Sequence, residues 1–184
     1  MKDSNVLKIV CSAAIQSWRA SGIGSRQSYT ELIPTKTAIT GLISNALGYY
    51  RNDNRIDILH NSYELYLDMN KSGLNTGLKT HNELNIPQTM MDFQTVGGVK
   101  MVKSGGGYET KTSIEEKEYI SGYRYVLYIK AEGSVLELIK NALIYPKREL
   151  YLGSKCCPPA EDIFQGIIEI ERLEENNVYQ HIRN

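Results

Sequence analysis

What the chain lacks narrows its chemistry first. It has three cysteines, Cys11, Cys156 and Cys157, with no CxxC pair, and the two adjacent ones cannot bond to each other without strain. That excludes a disulfide framework and fits a reducing cytoplasm. Histidine is equally scarce, and His60, His81 and His181 are too scattered for a metal site; solvated surface positions suit each. No apolar run approaches the length that crosses a bilayer, and Lys8 interrupts the only early one, so no signal peptide is read. A dinucleotide fingerprint after Gly22 and Gly24 would need a third glycine where the chain has Gln27. The expectation is a soluble, cytoplasmic protein that requires neither metal nor organic cofactor and has no membrane partner.

Excess charge is also missing. Lys plus Arg number 21 and Asp plus Glu number 21, a balance that argues against a stand-alone nucleic-acid binder. The distribution is less even. From Ala160 onward six acids face only Arg172 and Arg183, which leaves fifteen acids against nineteen bases in the first 159 residues. The body is mildly basic and the tail acidic, so RNA binding needs local clustering and gains most within a larger assembly.

The 184 residues suffice for one domain with a small elaboration. Pro34-Thr35-Lys36-Thr37 opens a short helix: Thr35 serves as N-cap and Gly48 as the left-handed stop. Ile39, Leu42, Ile43, Ala46 and Leu47 form its buried stripe. The free N–H groups at its start, beside Lys36 and Thr37, suit a phosphate; the structural alternative is an ordinary capped core helix with a solvated lysine. Val6 to Ala14 reads as a first strand, Gln16 to Glu31 as a polar loop, Tyr49 to Asn54 as a polar turn and Tyr63 to Met69 as a second strand. Tyr123 to Lys130 is a third strand. A capping box, Ser134 to Glu137, opens a second helix with the stripe Val135, Leu138, Ile139, Ala142 and Leu143, ended at Tyr145-Pro146. Leu150 to Leu152 reads as a short strand and Ile163 to Glu171 as the last one.

Strand, helix, strand, strand, helix, strand is the order of an α/β, more narrowly α+β, ferredoxin-like or RRM-like domain. The stretch 70–118, with Asn- and Gly-rich turns, the alternating piece Phe93 to Val96 and lysines Lys100 and Lys103 in a glycine-rich run, reads as an insertion between the second and third strands. It is either a mobile surface hairpin with solvated lysines or a functional arm. The domain is expected to occupy 1–159, with an acidic strand and tail over 160–184.

Four blocks, in order, carry a family resemblance: Gln16-Ser17-Trp18 with Ser25-Arg26 and the helix from Pro34 to Gly48; Asp92-Phe93-Gln94-Thr95-Val96; Lys117-Glu118-Tyr119-Ile120-Ser121-Gly122-Tyr123-Arg124-Tyr125; and Leu150-Tyr151-Leu152-Gly153-Ser154-Lys155-Cys156-Cys157-Pro158. Together they cover nearly the whole chain. They resemble the CasD family, the fifth group of CRISPR-associated proteins, in the form found in type I-E Cascade complexes. The resemblance implies a RAMP-type, ferredoxin-like fold with a protruding thumb at the insertion, where Phe93, Gln94, Thr95, Lys100 and Lys103 would contact a partner. It implies a non-catalytic subunit that holds the 5' handle of the CRISPR RNA, caps the backbone of CasC-type subunits and meets the CasA-type large subunit, so that target DNA is reached only indirectly. The type I-C relatives are instead metal-independent endoribonucleases, and a family-derived decoy or inhibitor is a further alternative. No histidine falls in a matched block, which favours binding over cleavage. Where the family has Arg, His and Gly, this chain has Ser154, Gln94 and Arg19.

Residue chemistry and the resemblance converge on one set of RNA contacts, made through phosphates, stacked bases and base edges. Gln16, Ser17, Trp18, Arg19, Ser25 and Arg26 come from the first loop, and Thr35, Lys36 and Thr37 from the helix start. Tyr145, Lys147, Arg148 and Lys155 follow the second helix. Each has a structural alternative: Trp18 as a core ring, Tyr145 as a helix-terminal packing residue, Lys147 and Arg148 as a solvated pair.

Overall fold

The computed structural model describes residues 4–20, 27–74, 86–170 and 179–182. Nine consecutive residues with apolar side chains on both faces form β1 (Ser4–Ser12) at the centre of the main sheet. It pairs antiparallel with β8 (Tyr123–Ala131), from Val6 opposite Lys130 to Ser12 opposite Arg124, and with β9 (Phe164–Ile170) on its other side. Beyond β8 lie β4 (Tyr63–Asp68) and β10 (Tyr179–His181), while β5 (Gly73–Leu74) also pairs with β8. Taken without β10, the order β4-β8-β1-β9 is that of a ferredoxin-like domain, with the fourth and third strands flanking the first.

Period-two alternation divides the sheet residues between two apolar clusters. Leu7, Ile9, Cys11, Leu65, Leu67, Tyr125, Leu127 and Ile129 face the helices. The opposite face is apolar too: Val6, Val10, Val126 and Tyr128 are fully buried there beside Tyr66, Ile168 and Tyr179. A sheet face so covered offers no open platform on which bases could stack.

The first helix, α1 (Lys36–Ala46), follows the local rules closely. Thr35 is extended and its Oγ1 accepts from Ala38 N at 3.2 Å, as an N-cap should. Ile39, Leu42, Ile43 and Ala46 are buried and Leu47 packs partly against them; each large aliphatic side chain so buried contributes about 1.5 to 3 kcal/mol. Gly48 takes φ 77° just past the helix end. A helix unforeseen in the sequence, α2 (Arg55–Asn61), follows. Its N-cap Asn54 makes no side-chain bond, and Asp53 Oδ1 instead accepts from Arg55 N at 3.0 Å.

Two expectations about the second half need correction. The helix α3 runs over Gly133–Ile144 with Glu132 as N-cap, so Ser134 lies inside the first turn and no capping box forms. Glu137 spends its carboxylate on Lys140 at 3.1 Å, and Leu136 rather than Leu138 completes the buried stripe. Residues Leu150 to Leu152 form no strand. Leu152 N donates to Cys157 O at 2.8 Å and Cys157 N to Ser154 O at 2.9 Å, which closes the chain into a turn instead.

Between β4 and β8 the chain also builds a second sheet. Its core is the hairpin of β6 (Gln88–Val102) and β7 (Tyr108–Ser121), paired from Gln88 opposite Ser121 to Val102 opposite Tyr108. The glycine pair Gly97-Gly98 sits at the register shift between Val96 and Val99, and Lys103 N to Gly107 O at 3.1 Å closes the tip. Two short strands, β2 (Ile15–Gln16) and β3 (Gln27–Ser28), pair with the other edge of β7 and tie the hairpin root to the first loop. No helix among the described residues is long and apolar enough to cross a membrane.

Candidate nucleic-acid interface

Backbone bonds gather the distant blocks at one place. Ser17 N donates to Leu152 O at 3.1 Å, Trp18 N to Thr30 Oγ1 at 2.7 Å and Glu31 N to Trp18 O at 2.6 Å. The first bond fastens the 150–158 turn to the first loop, and the other two fasten that loop to the segment leading into Pro34 and α1. Thr30 N donates in turn to Glu118 at 3.1 Å, which anchors the hairpin root to the same segment. The first loop, the hairpin root and the 150–158 turn thus share one neighbourhood, and the chain runs on from Glu31 to the helix start.

Not every candidate side chain faces outward there. Trp18 is 1% exposed, its ring meeting Tyr125 edge-on at 6.5 Å between centroids, and its Nε1 has no partner among the described residues. Gln16 is fully buried and its amide donates to Tyr123 O. These two side chains hold the loop to the core, so direct contact with RNA would require them to leave it. Ser17 is half-buried and Arg19 is exposed. Ser25 and Arg26 lie outside the described residues.

At the helix start, Thr35 spends its hydroxyl on Ala38 N, while Thr37 is exposed. The Lys36 ammonium lies 5.3 Å from the Tyr63 ring centroid. Beneath it, Thr40 Oγ1 donates to Lys36 O at 2.9 Å and meets Tyr63 Oη at 2.8 Å and His60 Nδ1 at 2.9 Å. Burial pushes the Tyr63 hydroxyl well above its ordinary value, so it stays protonated as a structural donor. His60, expected from the sequence to be a solvated surface residue, is instead half-buried on the Thr40 hydroxyl, and neither it nor Tyr63 sits in a recognisable local motif.

The group after α3 divides by role. Arg148 donates to Tyr49 O at 2.8 Å and Gly48 O at 3.1 Å, and its guanidinium lies 5.2 Å from the Tyr50 ring, so it caps the end of α1. Lys147 is exposed at its tip while its stem crosses Gly48, where an added Cβ would fall 2.9 Å from Lys147 Cδ. Tyr145 is 79% exposed and Lys155 is exposed on the 150–158 turn. Of the candidate cations not spent on a backbone carbonyl, Arg19, Lys147 and Lys155 are exposed, while Lys36 is half-buried against Tyr63.

Along the hairpin, alternate residues make two unlike faces. Gln94 donates to Asp92 at 2.7 Å and accepts from Lys117 at 2.7 Å, and Lys117 reaches Glu115 at 3.6 Å, which makes one face a polar ladder. The other carries Phe93, 66% exposed, and Ile114, 60% exposed, beside Thr95. Lys100 and Lys103 are exposed towards the tip.

A ferredoxin-like sheet whose second and third strands are separated in sequence by a long hairpin fits the RAMP-like fold. The family profile of the CRISPR-associated protein (Cas_Cas5) matches residues 6–183, and the chain belongs to that family. Among solved structures, one described as a CRISPR RNA-guided surveillance complex superposes with a TM-score of 0.66 at 16% identity, over 86% of this chain and 61% of that one. Another, described as a Cas protein, gives a TM-score of 0.52 at 21% identity, over 87% of this chain and 62% of that one. At such identities the likeness concerns the fold, and this chain spans under two thirds of both. No curated protein matches the chain in sequence.

Proposed function

We propose that this Cas5-family chain is a non-catalytic subunit of a type I, I-E-like, CRISPR RNA-guided surveillance complex, in which it binds the 5' handle of the CRISPR RNA. The observation that supports the reading is the attachment of the 150–158 turn to the first loop through Ser17 and Leu152. In this reading Arg19, Lys36, Thr37 and Lys155, from three distant parts of the chain, together meet the RNA. Phosphates are drawn to such a set by charge, and a helix start adds unpaired N–H donors. With no net charge on the chain as a whole, affinity is gained jointly with neighbouring subunits.

The hairpin supplies the partner contact in this reading. Its exposed Phe93 and Ile114 suit burial against a CasC-type backbone subunit, with Lys100 and Lys103 towards the tip and Gln94 and Thr95 along the strand. The CasA-type large subunit is the second protein neighbour, and target DNA is reached through it. The decisive experiment mixes the purified chain with repeat RNA in EDTA and, separately, with CasC-type subunits and handle-bearing RNA. Intact RNA together with co-purification of all three components supports the reading. Specific cleavage at the repeat would place the chain instead with metal-independent endoribonucleases, and exclusion from the assembly would leave a decoy.

A further inference from the structure

The 150–158 turn holds a feature that RNA binding does not use. Cys156 and Cys157 are adjacent in sequence and lie in opposite environments, Cys156 exposed and Cys157 fully buried, with their sulfurs 3.8 Å apart. The spacing belongs to a closed turn, because both Leu152 N to Cys157 O and Cys157 N to Ser154 O bond across it. Two metal–sulfur bonds of about 2.3 Å meeting near the tetrahedral angle span almost the same separation. Ser154 Oγ at 3.4 Å and Tyr119 Oη at 3.5 Å surround the Cys156 sulfur with hydroxyls able to donate to a thiolate.

The two thiols differ in readiness. Burial raises the Cys156 thiol, but hydrogen bonding with Ser154, Tyr119 and Cys157 outweighs it and leaves the group below its ordinary value. Burial pushes Cys157 up to about 12, with the neighbouring Cys156 adding to the rise. Thiolates select soft cations, whereas magnesium and calcium favour carboxylate oxygens, and the 150–158 turn has no Asp or Glu.

We propose that Cys156 and Cys157 form a two-sulfur site for a soft d10 cation of the zinc(II), cadmium(II) or copper(I) class. On binding, two S–H protons are released, two metal–sulfur bonds form, and the cation gives up two of its waters and keeps the rest of its coordination for water or an external thiol. No electron is transferred.

Cadmium titration of the full chain tests the proposal through the sulfur-to-metal charge-transfer band. The expected result is a band that saturates at one equivalent and is abolished by Cys156→Ser, a substitution at an exposed position that leaves the fold intact by circular dichroism. Cys157→Ser should abolish it as well, and Cys11→Ser should leave it unchanged. If Cys157→Ser fails to fold, proton release decides: two protons per bound cadmium support the site and one overturns it. Absence of the band, or its retention in Cys156→Ser, also overturns it. Competition by zinc(II) and by copper(I) against cadmium then ranks the natural candidates.

Discussion

Gly153 stands so close to Ser17 that an added Cβ would fall 1.5 Å from the Ser17 carbonyl oxygen, and its φ of 92° is one that side chains with a Cβ rarely adopt. Both conditions follow from the Ser17–Leu152 bond, which draws the turn's backbone against the first loop. Gly153→Ala should therefore destabilise the protein by roughly 2 kcal/mol or more, combining left-handed strain with backbone displacement. Urea unfolding reads this directly. An unchanged midpoint would show that the two loops are not clamped as described.

Trp18 separates a core role from a stacking role. A ring 1% exposed against Tyr125 predicts that Trp18→Ala lowers stability by about 3 to 5 kcal/mol. A base-stacking ring would instead cost about 1 to 3 kcal/mol of RNA affinity while the melting temperature held. Calorimetry and RNA titration of the same variant distinguish the two.

Legibility in the sequence tracked how local the cause was. The α1 cap at Thr35, its buried stripe and the stop at Gly48 all arise within a few residues, and they were readable. The strands β1, β4, β8 and β9 were readable for the same reason, through runs of Val, Ile, Leu and Tyr. By contrast α2 was not: only Leu59 is buried, Ile58 is 70% exposed, and its cap comes from Asp53 outside the helix. The strand expected at Leu150 to Leu152 failed because hydrogen bonding across Leu152 to Cys157 outcompeted extension. At the candidate site, residue types pointed to the right loops. Which side chains are spent internally, as Gln16, Trp18 and Arg148 are, depends on partners far along the chain.

Stability in acid should report the Arg124–Glu161 pair, which is joined by two hydrogen bonds at 2.7 and 3.0 Å. Hydrogen bonding from Arg124 holds the Glu161 carboxyl below its ordinary value despite partial burial. A depressed folded-state value means that this stabilisation is complete above the unfolded value, about 4.3 for Glu, and is lost as pH falls through the folded one. Glu161→Gln should thus be less stable than the parent near neutrality, and the gap should close on acidification. A gap that stayed constant across that window would remove the linkage.

RNA binding provides the sharpest division among the basic residues. Lys36 and Lys155 make no side-chain hydrogen bond or ion pair with another described residue, so replacing either with Ala should weaken handle binding in the reconstituted complex and lower the salt slope by up to about 0.7, the single-strand value per neutralised phosphate. Folding should hardly change for Lys155→Ala, whose side chain is exposed, and should weaken by no more than about 1 kcal/mol for Lys36→Ala, which gives up its contact with the Tyr63 ring. Arg148→Ala should behave in the opposite way: its guanidinium is committed to Gly48 O and Tyr49 O, so the unfolding midpoint should fall while the salt slope stays near the parent value. Arg26, which lies outside the described residues, belongs with the two lysines if the first loop completes the same surface. Salt titrations of the four variants beside their melting curves decide the matter. If the slope falls for Arg148→Ala and holds for Lys36→Ala and Lys155→Ala, the handle lies at the far end of α1, and the surface assembled around Ser17 and Gly153 serves the fold alone.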